Sequence, residues 1–291
     1  MDSKQPPALL AWERDDIEQR WGFPGGRFTR VNLLFTGLIA LAMTIAFYGA
    51  MFACMHFNLP VLDRIGVSFT ERGPIPYPTV FFTMWCVAIL WVKWRKLAYQ
   101  RKSLARQVVP PDHDFVLSPA SVDQVVDGIH ETVDDPRHFV LFNRIMVALS
   151  NLRNLGVVGD VDDILRSQGE NDESGLETSY AMIGAFVWCI PVLGFIGTVQ
   201  GLSDAIGSFG AVLQATGELS EIKSALQNVT AGLATAFETT FQALVFALFI
   251  QLALVYLKAA EEEFLDACGD YCLKHIVNRL RMTPFQAEQL S

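Results

Sequence analysis

The chain has 291 residues, of which 51% are hydrophobic and only 18% charged, and its 31 acidic residues against 22 Lys and Arg give a formal charge of −9. That acidic balance excludes nucleic acid as a default partner, because binding phosphate backbones needs basic surface. So apolar a chain with so little charge implies that part of it is solvated by lipid.

Residues 1–30 are read as a segment on the cytoplasmic side. They contain Trp12-Glu13-Arg14-Asp15-Asp16 and no short apolar stretch with a small-residue cleavage site, so they do not read as a removable signal, and the first span is expected to act as its own insertion signal. Val31 to Leu62 carries no Asp, Glu, Lys or Arg, and neither does Gly73 to Val92. Each run exceeds or matches the roughly 20 residues that cross a bilayer as a helix. Residues 31–92 are therefore expected to be two membrane helices joined by a short periplasmic loop.

Lys93, Arg95, Lys96, Arg101, Lys102 and Arg106 follow the second run with no acid among them, and Arg20, Arg27 and Arg30 precede the first. By the positive-inside rule both flanks are cytoplasmic. Residues 93–178 then read as a cytoplasmic helical segment. Ser118-Pro119 is a cap and first-turn pair, and Ser121 to Gln124 has capping-box spacing. A helix is expected from Pro136 to about Leu155. It should bury Phe139, Phe142, Ile145, Met146, Leu149 and Leu152, with Gly156 to end it. Asp160, Asp162, Asp163, Glu170, Asp172 and Glu173 make the end of the segment acidic, as a solvated face or a docking patch for a basic partner. No strand pattern occurs.

Residues 179–257 hold the third and fourth spans: Thr178 to Ser203 is free of charge, and Ser224 to Leu257 is interrupted only by Glu238. The third contains Pro191-Val192-Leu193-Gly194-Phe195-Ile196-Gly197-Thr198-Val199-Gln200-Gly201. Gly194, Gly197 and Gly201 clear a strip against which a neighbouring helix can pack closely. On the fourth, Gln227, Ala231, Ala234, Thr235, Glu238 and Gln242 fall on one side at helical spacing, a polar stripe in lipid. A carboxylate there costs about 2.5 to 3.5 kcal/mol on insertion scales, so Glu238 should face water or the bundle interior, protonated or paired. It is read either as part of an ion path or as interhelical glue bonded to Thr235 or Gln242. Thr198, Thr235, Thr239 and Thr240 can each bond back to their own helix.

Residues 258–291 are expected to continue the fourth helix on the cytoplasmic side. Phe264, Leu265, Cys268, Cys272, Ile276 and Leu280 lie near one face, and Glu261, Glu262 and Glu263 take polar positions. The five cysteines form no CxxC pair and have no histidines at zinc spacing, so neither a metal site nor a cofactor is expected. The expected fold is all-α: four transmembrane helices, the last two long and extending into a helical cytoplasmic domain.

The stretch Pro191 to Phe209, with its proline, its Leu193-Gly194-Phe195-Ile196-Gly197-Thr198-Val199-Gln200-Gly201 core and the aromatic beyond, resembles the third-helix signature of the MotA/TolQ/ExbB proton channel family. Ala225 to Leu244 is similar to the fourth helix. The resemblance implies a ring, usually five-fold, in a bacterial inner membrane, with both termini cytoplasmic. It also implies a single-span ExbD/TolR/MotB-like partner that carries an intramembrane aspartate. Thr198 falls on the family's pore-facing threonine and Thr230 on or beside the threonine of the fourth helix. Thr235, Glu238 and Thr239 complete the expected ion path, and Pro191, Gly194, Gly197, Gly201 and Gly232 the expected packing strip. The family's fourth-helix glutamate has no counterpart here, because Lys223 and Ser224 occupy that neighbourhood.

The resemblance further implies proton flow, with sodium as an alternative, coupled to mechanical work through the partner. The competing reading is a non-conducting membrane scaffold held together by the same small residues. No nucleophile with a base and no phosphate-cradling loop suggests an enzyme.

Overall fold

Lipid leaves a backbone no hydrogen-bonding partner but its own, so apolar runs of this length must be helical. The computed structural model describes residues 10–56, 66–110, 115–118, 121–155, 160–214 and 219–280. In chain order it has two short helices, α1 (Trp12–Asp15) and α2 (Ile17–Arg20), the apolar α3 (Leu33–His56), a helical stretch α4 over residues 66–70, and α5 (Pro76–Leu104). These are followed by α6 (Val122–Thr132), α7 (Val140–Leu155), α8 (Asp160–Gln214) and α9 (Leu219–His275). Among the described residues there are no strands, only two isolated bridges, Leu10 to Val133 and Leu117 to Leu280. Four helices, α3, α5, α8 and α9, are long and apolar enough to cross a membrane. The protein is an all-α, multi-pass membrane protein.

The chain divides into two compact units. A membrane unit comprises Leu33–Trp91 and Ala181–Val255, and a polar unit comprises Met1–Asn32, Val92–Tyr180 and Tyr256–Ser291. Pro191 lies inside α8, where it removes one backbone hydrogen bond, yet the helix runs through it. Asp160, Asp162 and Asp163 occupy the first turn of α8, and Lys274 and His275 the last turn of α9, each on the side the helix dipole favours.

The polar unit is built around α7. Phe139, Phe142, Ile145, Leu149 and Leu152 are fully buried, whereas Met146 is only half-buried. Phe264, Leu265, Cys268 and Cys272 of α9 and Ile276 just beyond it are buried as their spacing predicts. The capping box does not form. Ser121 precedes α6 without a side-chain cap, because its hydroxyl donates to the carbonyls of Val116 and Ser118 instead. Pro119 and Gly156 lie outside the described residues.

Charged residues also enter this interior. Lys93 and Glu261 are both buried and form an ion pair of 3.2 Å, with Ser179 accepting from Lys93 at 3.0 Å. Arg144 of α7 donates to Asp172 of α8 at 2.6 Å. Trp12 is 1% exposed, stacked on His138 and edge-on to Phe139. In the membrane unit, by contrast, α3 keeps Leu34, Leu38, Leu41, Ile45 and Phe52 exposed, as suits a surface that meets lipid.

Candidate functional site

Within the membrane unit α8 and α9 meet along a seam of small residues. A Cβ on Gly194 would stand 2.6 Å from that of Ala243, and one on Gly201 would stand 2.6 Å from Gly232 O and from Ala236 N. A Cβ on Gly232 would meet Gly201 O at 2.7 Å. Separations this short mean that the backbones touch where a side chain would otherwise stand, the close approach that small residues permit in membranes. Gly197 sits directly on Thr239, which is buried and donates to Thr235 O at 2.8 Å within its own helix.

Thr198 and Thr240 face each other across the seam with their hydroxyls in direct contact. Thr240 Oγ1 also lies 2.8 Å from Gly194 O, and Thr198 Oγ1 lies 3.3 Å from both Gly194 O and Ala236 O. Each hydroxyl has one proton and two lone pairs, so this group of four oxygens can be satisfied with the protons in more than one arrangement. The pair also lies beside exposed surface. Phe195, Val199 and Leu202 share the face of α8 that holds Thr198, and Phe237, Phe241 and Leu244 share the face of α9 that holds Thr240; all six are exposed.

Glu238 points elsewhere. Residues two apart on a helix diverge by about 200°, and Glu238 meets Arg72 in a two-point ion pair, Nε at 2.9 Å and Nη2 at 3.1 Å, with the Ser68 hydroxyl donating at 2.8 Å. Gln242, one turn on, donates to Ser68 O at 3.1 Å. The carboxylate is thus tied to the stretch around α4 rather than to Thr235 or Gln242. Thr235 and Thr230 bond back to Ala231 and Leu226 of their own helix. Thr230 is exposed and, with Gln227, Ala231, Ala234 and Arg72, lines a shallow depression of about 690 Å³.

Of the expected ion-path residues, Thr198 therefore sits in the hydroxyl pair and Thr239 under Gly197. Glu238 is on Arg72, and Thr230 and Thr235 are on the flank of α9. Sequence spacing did not single out Thr240 or Arg72. Thr240 is distinguishable from Thr239 only once the rotation of α9 against α8 is known, and nothing in the spacing of the sequence links Arg72 to a glutamate 166 residues away. Among the described residues no three His, Cys, Asp or Glu side chains come together as a metal site would need.

Residues 143–268 match the model of the MotA/TolQ/ExbB proton channel family. The matched stretch contains the whole α8–α9 seam, the polar-unit portion of α8 and the first part of that of α9. No curated protein and no solved structure matches the chain. The four long apolar helices and this match together support a multi-pass membrane protein of ion-channel type.

Proposed function

We propose that the chain is the ring-forming subunit of a channel in a bacterial inner membrane, with both termini on the cytoplasmic side. It passes protons and converts their flow into work through a single-span partner. The observation that carries this reading is the Thr198–Thr240 pair: two hydroxyls at the seam of two helices, beside the exposed apolar side chains of Phe195, Val199, Leu202, Phe237, Phe241 and Leu244. A partner helix laid along those faces would bury Phe195, Phe237 and Phe241 and bring an intramembrane carboxyl against the Thr198 and Thr240 hydroxyls.

In this mechanism the partner's aspartate exchanges a proton beside the threonine pair, whose hydroxyls reorient as the carboxyl changes charge. An elementary charge crossing 100 mV releases roughly 2.3 kcal/mol, so a few protons per step can move the partner against a load. Glu238, held by Arg72, sets the position of α9 and contributes a fixed charge pair beside the path. Thr230 and Thr235 border the path, and Thr239 supports it from under Gly197. Sodium is the alternative ion, since hydroxyl and carbonyl oxygens ligate it as well.

The test is flux in liposomes that contain the chain together with its partner. Thr198→Val keeps the shape and removes the hydroxyl. Proton uptake driven by an imposed potential should fall at least about tenfold, the scale of one lost charge-assisted hydrogen bond, while the assembly remains intact. The glycine seam also suits a scaffold that conducts nothing, and unchanged driven activity in Thr198→Val would favour that reading.

A further inference from the structure

The turn that holds Arg27 and Arg30 is held in a strained form. Phe28 has φ +58°, a left-handed conformation that a bulky residue keeps only where its surroundings dictate it. Here a buried carboxylate dictates it. Glu18 accepts from the backbone N–H of Gly26 at 3.2 Å and of Asn32 at 2.7 Å, which fixes both ends of the turn. Lys96 Nζ donates to Glu18 at 2.5 Å and to the carbonyl of Arg30 at 2.8 Å, which fixes its last residue.

The two arginines wall a cavity of about 400 Å³ in the polar unit. The opposite wall is one face of α8 with Gln168, Asn171, Asp172 and Gly175 at helical spacing, and the remainder includes Glu261 and Phe264 of α9. Both carboxylates are already neutralised, Glu261 by Lys93 and Asp172 by Arg144, which leaves the arginines as positive charge in excess. Arg27 gives one nitrogen to Asn143 Oδ1 at 2.9 Å. The Arg30 guanidinium has no hydrogen-bond or ion-pair partner among the described residues. It stands over Gly175, where even a Cβ would lie 3.8 Å from Nη2, so the absence of a side chain keeps the approach open.

We propose that this cavity binds a phosphate group, gripped by Arg27 and Arg30 with the Thr29 hydroxyl and the Gln168 and Asn171 amides as further donors, and with Phe28 and Phe264 against the body that carries it. A guanidinium fork matches phosphate oxygens two at a time, which a lysine cannot do. The phosphate belongs either to an anionic lipid headgroup or to a free phosphate ester. Chain position favours the lipid: Arg30 lies three residues before Leu33, where α3 begins, and Leu176 two residues before the charge-free run that starts at Thr178.

The experiment uses the full-length protein, delipidated in detergent and titrated with phosphatidylglycerol under native mass spectrometry, with glycerol 3-phosphate and inorganic phosphate as competitors. The wild type should retain lipid, and the Arg27→Gln/Arg30→Gln variant should weaken retention by about tenfold or more. Gly175→Leu, which retains both arginines but puts a side chain into the cavity against the Arg30 guanidinium, should do the same. Arg95→Gln removes an exposed basic residue outside the cavity and should have no effect. Displacement of the lipid by the free phosphates, or binding of those alone, assigns the site to a soluble ester, and resistance to them assigns it to the headgroup. The proposal is overturned if neither ligand binds, if Gly175→Leu and a folded double variant both keep wild-type binding, or if Arg95→Gln loses as much.

Discussion

Replacing Lys93 by Met should destabilise the polar unit more than any surface substitution can. Lys93 and Glu261 have side-chain exposures of 0% and 2% and meet at 3.2 Å, and the Tyr180 ring lies 4.1 Å from the ammonium. The substitution leaves a carboxylate buried with its counter-charge gone, and breaking a buried pair from one side costs roughly 3–5 kcal/mol. At about 2–4 °C per kcal/mol for a domain of this size, the apparent Tm should drop by about 6–20 °C. Glu261→Gln strands the ammonium and should act similarly. The double variant removes both charges and should be less damaged than either single, because most of each loss is the uncompensated charge and not the pair itself. Thermal unfolding in detergent, followed by tryptophan fluorescence, measures all four proteins. Single variants within about 0.5 kcal/mol of wild type, the range of ordinary surface changes, or a double variant equal to the sum of the two, would refute the buried-pair account.

Three further outcomes follow from the geometry. Gly201→Val places a side chain 2.6 Å from backbone atoms that cannot rotate away, so it should cost at least about 1–3 kcal/mol, whereas Gly184→Val, with no atom within 4 Å of its Cβ, should leave thermal stability unchanged. The Arg72–Glu238 pair is partly exposed, at 23% and 37%, so its loss should cost only about 1 kcal/mol of stability. Arg72→Gln and Glu238→Gln should nevertheless lower driven flux, and the exchange Arg72→Glu/Glu238→Arg should recover part of it. Burial, opposed by Lys96 at 3.6 Å, holds the Asp16 carboxyl above its ordinary value of 3.8. Above that value the unfolded chain releases this proton before the folded one does, so the folded state loses stability as pH rises from about 3.8 through the raised pKa. Asp16→Asn should abolish that slope and unfold at higher temperature than wild type near neutral pH.

The apolar helices are legible in the sequence because lipid solvation requires an unbroken run, and α3, α5, α8 and α9 each contain one. The buried face of the polar-unit end of α9 is legible for a related reason, since Phe264, Leu265, Cys268 and Cys272 recur at helical spacing. Glu261 is not: it reads as one of three adjacent solvated acids, and only the approach of Lys93 from a distant part of the chain turns it inward. Nor is the ordering of residues 12–32 visible. Four-residue helices carry no period, and Trp12 and Glu18 are buried by partners far along the chain. The glycine strip of α8 is readable from spacing alone. Its register against α9 is not, which is why Thr198 stands out in the sequence while its partner Thr240 is one of several similar threonines.

The central claim is tested most directly by native mass spectrometry of the chain purified with and without a single-span protein that carries an intramembrane aspartate. The account predicts a closed ring of about five copies that captures a smaller number of partner chains, with capture weakened by Phe237→Ser or Phe241→Ser on the exposed face of α9. A monomer or dimer that ignores the partner would contradict it.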